Sequence, residues 1–214
     1  MILNQSFTIR DRKQAGLLLA EKLVRFKNSN AIIVGVPYGG AVVGYHLAEK
    51  LNLSFDVIAC KPISHPADQR KTIGSVSIDQ AVIHDEAFDI PSDYIYHKIV
   101  RNQNALKAQE DFYRSGKPWE VKIENAEVIV VGDIVRSADS LVASIRTLRN
   151  QKPKKIIVAA SIVKPDAMTQ LANEVDEIVS LSVEDDVQPG GFYEENTVVR
   201  DEDIRDLVLR SFEN

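Results

Sequence analysis

Two stretches of the chain put small and hydroxyl-bearing residues where a strand must give way to a helix. Residues 128–140 read VIVVGDIVRSADS, an apolar run followed by Gly132, Asp133 and then Ser137, Ala138, Asp139 and Ser140. An unbroken apolar run is the pattern of a strand covered on both faces of a parallel sheet, and ligands of open α/β sheets bind beyond the carboxyl ends of such strands. Asp133 is therefore expected where a ligand arrives. The small residues after it let backbone amides approach a phosphate, and the next helix offers unpaired N–H groups and the positive end of its dipole. The same residues also have a use without a ligand, since Ser137 is a good helix N-cap and Asp139 in a first turn complements the dipole. Upstream, residues 31–40 read AIIVGVPYGG, again an apolar strand, now ending in Pro37, Tyr38, Gly39 and Gly40. A third run, FDVIACK over 55–61, ends in Lys61.

These motifs, in this order, resemble those of the type I phosphoribosyltransferases. Residues 128–140 are similar to the phosphoribosyl pyrophosphate signature, in which two adjacent acids hold the ribose hydroxyls and a threonine/glycine loop wraps the 5′-phosphate. Gly132 stands in place of the first acid and Asp133 keeps the second, while Ser137, Ala138, Asp139 and Ser140 replace threonine-glycine-x-threonine. Pro37, Gly39 and Gly40 match the proline-arginine-glycine-glycine pyrophosphate loop of one subgroup, with Tyr38 in the arginine's place. The resemblance implies a cis peptide between Pro37 and Tyr38, a pyrophosphate contact for Lys61, and base stacking at the aromatic turn Gly190, Gly191, Phe192 and Tyr193. It extends over nearly the whole chain.

The implied reaction is transfer of ribose 5-phosphate from phosphoribosyl pyrophosphate to a nitrogen acceptor such as a nucleobase. Mg²⁺ accompanies the pyrophosphate, Asp133 is the catalytic residue that orients the ribose hydroxyls, and backbone amides of both loops hold the phosphates. Arg136 is expected to offset the charge of Asp139. Loss of the first acid and of the loop arginine removes two charged hydrogen bonds, about 3–6 kcal/mol together. A phosphoribosyl pyrophosphate or nucleotide sensor without turnover, and a noncatalytic interaction module, are the alternatives. Gly132→Asp combined with Tyr38→Arg is expected to tighten ligand binding.

The elements that must position these residues alternate along the chain. A helix over about 11–26 precedes strand 31–37, helix 41–51, strand 55–61, strand 126–132, helix 138–150, strand 155–162, helix 165–174 and strand 176–182. The fold class is α/β, a phosphoribosyltransferase-like, mostly parallel sheet with helices on both faces. Residues 62–120 are too long for an ordinary connection and form an inserted hood or lid within a single domain spanning 1–214. Within the insert, a hairpin is expected over 74–84 and a long helix from Ser92 or Asp93 to Tyr113, whose charged face, including Lys107 and Glu110, is solvated. The lid implied by the resemblance would carry Arg70 and Lys71 toward the pyrophosphate.

Composition narrows the function classes. With 214 residues and 44% hydrophobic content the chain can fill one sizeable core, and its net charge of −5 argues against a broad nucleic-acid surface. Cys60 is the sole cysteine, so no internal disulfide forms. The four histidines lie in different elements, without metal-site spacing. No apolar run approaches the ~20 residues of a membrane span, and the charged N-terminus does not read as a signal peptide. A cytoplasmic protein with small-molecule partners, and compatible with a homodimer, is the expectation.

Overall fold

The computed structural model describes residues 9–118, 121–185 and 192–213. Among these, eight strands and six helices follow one another as α1 (Arg12–Lys22), β1 (Ile32–Gly35), α2 (Gly39–Leu51), β2 (Ser54–Val57), β3 (Lys61–Ser64), β4 (Thr72–Val76), β5 (Ala81–Ile83), α3 (Ser92–Arg114), β6 (Glu127–Val135), α4 (Asp139–Arg149), β7 (Lys155–Val163), α5 (Pro165–Ala172), β8 (Glu177–Val183) and α6 (Asp201–Ser211). The main sheet has five strands in the order β2-β1-β6-β7-β8, all parallel. It is flanked by helices on both faces, as the apolar runs separated by helical segments predict.

Successive side chains of a strand point to opposite faces, and the apolar runs divide accordingly. Ile33, Ile129, Val131, Ile157 and Ala159 enter one core, shared with Leu19 of α1, Leu47 of α2 and Ile204 of α6. Ile32, Val34, Val128, Val130, Ile156 and Val158 enter the other, with Leu141 and Ile145 of α4 and Leu171 of α5. β6 does not stop at Gly132 but pairs with β7 as far as Val135. The alternation therefore continues through the site, so that Asp133 faces the α1 and α2 side and Gly132 the α4 side.

The strand expected over 55–61 is two strands. β2 ends at Val57, and Lys61 opens β3 of a separate antiparallel sheet in the order β3-β4-β5. At this point side chains of α3 cover the open edge of β2, on the side away from β1, to which Ile58 N still donates through the Gly35 carbonyl at 3.1 Å. Arg114 Nη2 donates to the Val57 carbonyl at 2.8 Å and Glu110 Oε1 accepts from Ala59 N at 3.0 Å. Glu110, expected on a solvated face, is thus buried, and Arg114 pairs with both Glu110 and the fully buried Asp56. Burial pushes the carboxyls of Asp56 and Glu110 above their ordinary range, against the pull of the guanidinium. Asp79, in the β4–β5 turn, fixes the small sheet to α4 by accepting from Thr147 Oγ1 at 2.6 Å and Asn150 Nδ2 at 3.0 Å.

Removing one partner of a buried ionic cluster strands the rest. Arg114→Met is expected to lower the unfolding free energy by about 3–5 kcal/mol in urea titrations, whereas Lys107→Met on the exposed side of α3 changes it by less than about 0.5 kcal/mol. The deficit also depends on pH. With their cation gone, Asp56 and Glu110 bind protons more readily in the folded than in the unfolded chain, so stability falls as pH rises. The gap between Arg114→Met and the natural protein should therefore be smaller at pH 5 than at pH 8.

Candidate functional site

β1 and β6 are neighbours at the centre of the sheet, and the loops that leave their carboxyl ends face each other across a cleft of about 520 Å³. Pro37, Tyr38, Gly39 and Gly40 line one side; Gly132, Asp133, Arg136, Ser137 and Ser140 line the other, with Arg12 and Asn196 completing the wall. The Pro37–Tyr38 peptide is cis. Gly40 sits so close to β6 that a Cβ would overlap the Val131 carbonyl, and a Cβ on Gly39 would overlap the Asp133 carboxylate. The glycines are thus required by close packing of α2 against β6 and its acid, beyond any turn geometry.

Both oxygens of Asp133 are engaged. Arg12 Nε donates to Oδ2 at 2.7 Å, and the Tyr193 hydroxyl donates to Oδ1. The same hydroxyl lies 2.8 Å from Ser161 Oγ of β7, and the Arg12 guanidinium stacks 5.2 Å from the Tyr193 ring centroid. Burial, reinforced by the charge of Asp133, pushes the Tyr193 phenol above its ordinary value, so it stays a donor. Arg12 escaped the sequence reading because a basic residue in a first helical turn looks solvated, and nothing local ties it to a loop 121 positions away.

The other residues singled out from the sequence divide. Lys61 begins β3 and does not line the cleft. Arg70 is exposed in the turn before β4, 3.3 Å from Asp68. Phe192 and Tyr193 are buried, at 6% and 4% exposure, in the core shared with α1 and α6. With so little surface their rings are packing elements rather than platforms for a base, and Tyr193 reaches the site through its hydroxyl. Gly190 and Gly191 lie outside the described residues.

In the 136–140 loop both carboxylate oxygens of Asp139 have partners. Asp139 Oδ1 lies 2.9 Å from His84 Nε2, at the end of the small sheet, and its Oδ2 accepts from Ser137 Oγ at 2.5 Å. His84 and Ser137 are thus partners of Asp139 beside the expected Arg136; Ala138, the N-cap of α4, is fully buried. Gly132 also behaves differently from expectation. A Cβ there would lie 2.9 Å from Val135 Cγ2 and 3.4 Å from Leu141 Cδ1, so a carboxylate would enter the α4 core instead of joining Asp133. On the opposite wall, the Tyr38 ring is 46% exposed, and its hydroxyl lies 3.5 Å from Gln109 Nε2. Gln109 and Tyr113 both donate to Asp201 at the start of α6.

The phosphoribosyl transferase domain family matches residues 9–196. A Mycobacterium tuberculosis protein, provisionally named as a phosphoribosyl transferase, is 22% identical over 176 residues, which make up 80% of this chain and 40% of that protein. The chain thus spans less than half the length of that relative. Among solved structures, TT1426 from Thermus thermophilus superimposes with a TM-score of 0.78 at 27% identity, covering 95% of this chain and 98% of its own. The purine phosphoribosyltransferase of Pyrococcus horikoshii has the same fold at a TM-score of 0.50 and 18% identity, over 88% of this chain and 93% of its own.

Removing the Tyr193 hydroxyl leaves Ser161 Oγ, fully buried, without that partner and Asp133 held by Arg12 alone. Tyr193→Phe is expected to cost about 1–3 kcal/mol of stability. Gly132→Asp is expected to cost at least as much through an ion placed against Val135 and Leu141. Thermal or urea unfolding of the two variants beside the natural protein checks both.

Proposed function

We propose that this chain, which belongs to the phosphoribosyl transferase domain family, binds phosphoribosyl pyrophosphate between the 37–40 and 136–140 loops and transfers its ribose 5-phosphate group to a nitrogen acceptor. The observation that carries this reading is the cleft in which two adjacent parallel strands end in anion-type loops with one carboxylate, Asp133, between them. In this reading the 5′-phosphate lies on the loop that leads into α4, where the helix N-terminus offers N–H donors. The pyrophosphate lies on the loop that leads into α2. Asp133 accepts from the ribose hydroxyls through the lone pairs that Arg12 and Tyr193 leave unused. Lys61 and the Phe192 and Tyr193 rings have no role in the reading.

Among the described residues no group of three His, Cys, Asp or Glu side chains could hold a metal ion. Asp133 is the one carboxylate among the described residues lining the cleft. That donor set fits Mg²⁺ carried on the pyrophosphate, since Mg²⁺ retains waters and takes one or two carboxylates together with substrate phosphates. When bound, it neutralises charge on the leaving pyrophosphate. The residues of this chain do the rest: they fix the ribose and the two phosphates, and an oxocarbenium-like transition state needs that positioning more than a protein nucleophile. A second reading, a sensor that binds the same ligand without turnover, is favoured by Gly132 in place of a first acid.

Isothermal titration with phosphoribosyl pyrophosphate tests the proposal. Binding that requires Mg²⁺ is expected, with Asp133→Asn weakening it about tenfold or more, and Gly132→Asp giving no gain. Absence of binding at millimolar ligand would overturn the proposal. Pyrophosphate release in a nucleobase panel separates the transferase from the sensor.

A further inference from the structure

The pyrophosphate loop has Tyr38 where a cation would serve an anionic ligand, and the Tyr38 hydroxyl lies toward Gln109 and Asp201. A guanidinium nonetheless reaches this side of the cleft from another element. We propose that Arg12 of α1 is the cation of the pyrophosphate subsite, standing in for the charge absent from position 38. The inference rests on the phosphoribosyl pyrophosphate reading and adds a ligand-contacting residue to it.

Four observations carry it. Arg12 lines the cleft with a side chain only 15% exposed, so its charge acts at reduced screening. It lies against the loop itself: Nε is 2.7 Å from where a Cβ on Gly39 would stand. Its orientation is fixed by three contacts, Nε on Asp133 Oδ2, Nη1 on the Thr197 carbonyl at 2.9 Å, and the Tyr193 ring beside the guanidinium. Those contacts use Nε and Nη1. Among the described residues Nη2 has no hydrogen-bond partner, and it keeps two donors for an oxyanion. Arg136, the other basic residue lining the cleft, belongs to the opposite loop. The ligand's two anionic ends thus each meet one arginine.

A purely structural Arg12, acting only by holding Asp133, makes a different prediction from one that contacts pyrophosphate. Calorimetry on the natural protein, Arg12→Gln and Arg12→Gln/Tyr38→Arg, with Mg²⁺-pyrophosphate, phosphoribosyl pyrophosphate and ribose 5-phosphate as separate probes, distinguishes them. Arg12→Gln is expected to weaken the two pyrophosphate-bearing ligands about 10- to 100-fold, and ribose 5-phosphate by less than about threefold. Tyr38→Arg should restore most of the loss. Equal weakening of all three ligands without rescue, or unchanged pyrophosphate affinity, would overturn the role of Arg12 while leaving the wider reading intact. A natural protein that ignores phosphoribosyl pyrophosphate would overturn both. Should Arg12→Gln fail to fold, Arg12→Lys keeps the charge but not the fork, and the same selective loss, about 3- to 10-fold, is expected; uniform or absent loss there counts against the proposal.

Discussion

A single carboxylate, Asp133, is the point on which the site turns. Extended backbone through Gly132 to Val135 keeps the two-residue alternation of β6 intact, and that alternation delivers the acid to the face where α1 and α2 pack. There it meets Arg12 from the first helix, Gly39 from the second, and Tyr193 from the segment that precedes α6. An acid with 13% of its side chain exposed is expensive unless paired. The pairing in turn decides that Gly39 carries no side chain and that Tyr193 keeps its proton. Remove the acid, and three otherwise separate parts of the chain lose their common partner.

The small sheet and α3 obey a similar rule. The cluster of Arg114, Asp56 and Glu110 is buried at the point where the chain leaves the main sheet, and its hydrogen bonds reach backbone as well as side chains. Replacement of such a cluster by apolar groups is often neutral in stability. What this one fixes is the seat of α3 on the open edge of β2. The small sheet begins soon after, at Lys61, and is tied to α4 through Asp79, with His84 reaching Asp139.

Most of the main sheet was legible in the sequence because buried parallel strands write themselves as unbroken apolar runs and the helices between them keep their own period. The two loops were legible from their residue types, Pro-Tyr-Gly-Gly after one run and Gly-Asp followed by small hydroxyl residues after the other, although β6 itself runs on through Gly-Asp to Val135. What escaped was information carried by partners distant in sequence. Glu110 and Arg114 look like surface residues of a long polar helix until Asp56 is brought beside them. Lys61 reads as the end of a strand, since nothing in FDVIACK records that the chain passes after Val57 from the main sheet into a second, antiparallel one. The phase of β6 beyond Gly132 was also hidden, because an apolar run is silent about which of its residues face which side. That phase decides that Gly132 points at Leu141 and away from Asp133.

The contact between Arg12 and the Thr197 carbonyl spans 185 positions, and Ile9 bridges to Tyr193 beside it. Contacts of such separation close large loops and contribute most to slow folding. The eight described strands are complete by Val183, so a chain emerging from a ribosome can assemble its sheets while the cleft still lacks a wall. Until residues 193–197 dock, Asp133 has neither Tyr193 nor an Arg12 anchored at Thr197. Order of synthesis therefore separates the birth of the sheets from the birth of the ligand pocket, whose wall at residues 193–197 follows the last described strand.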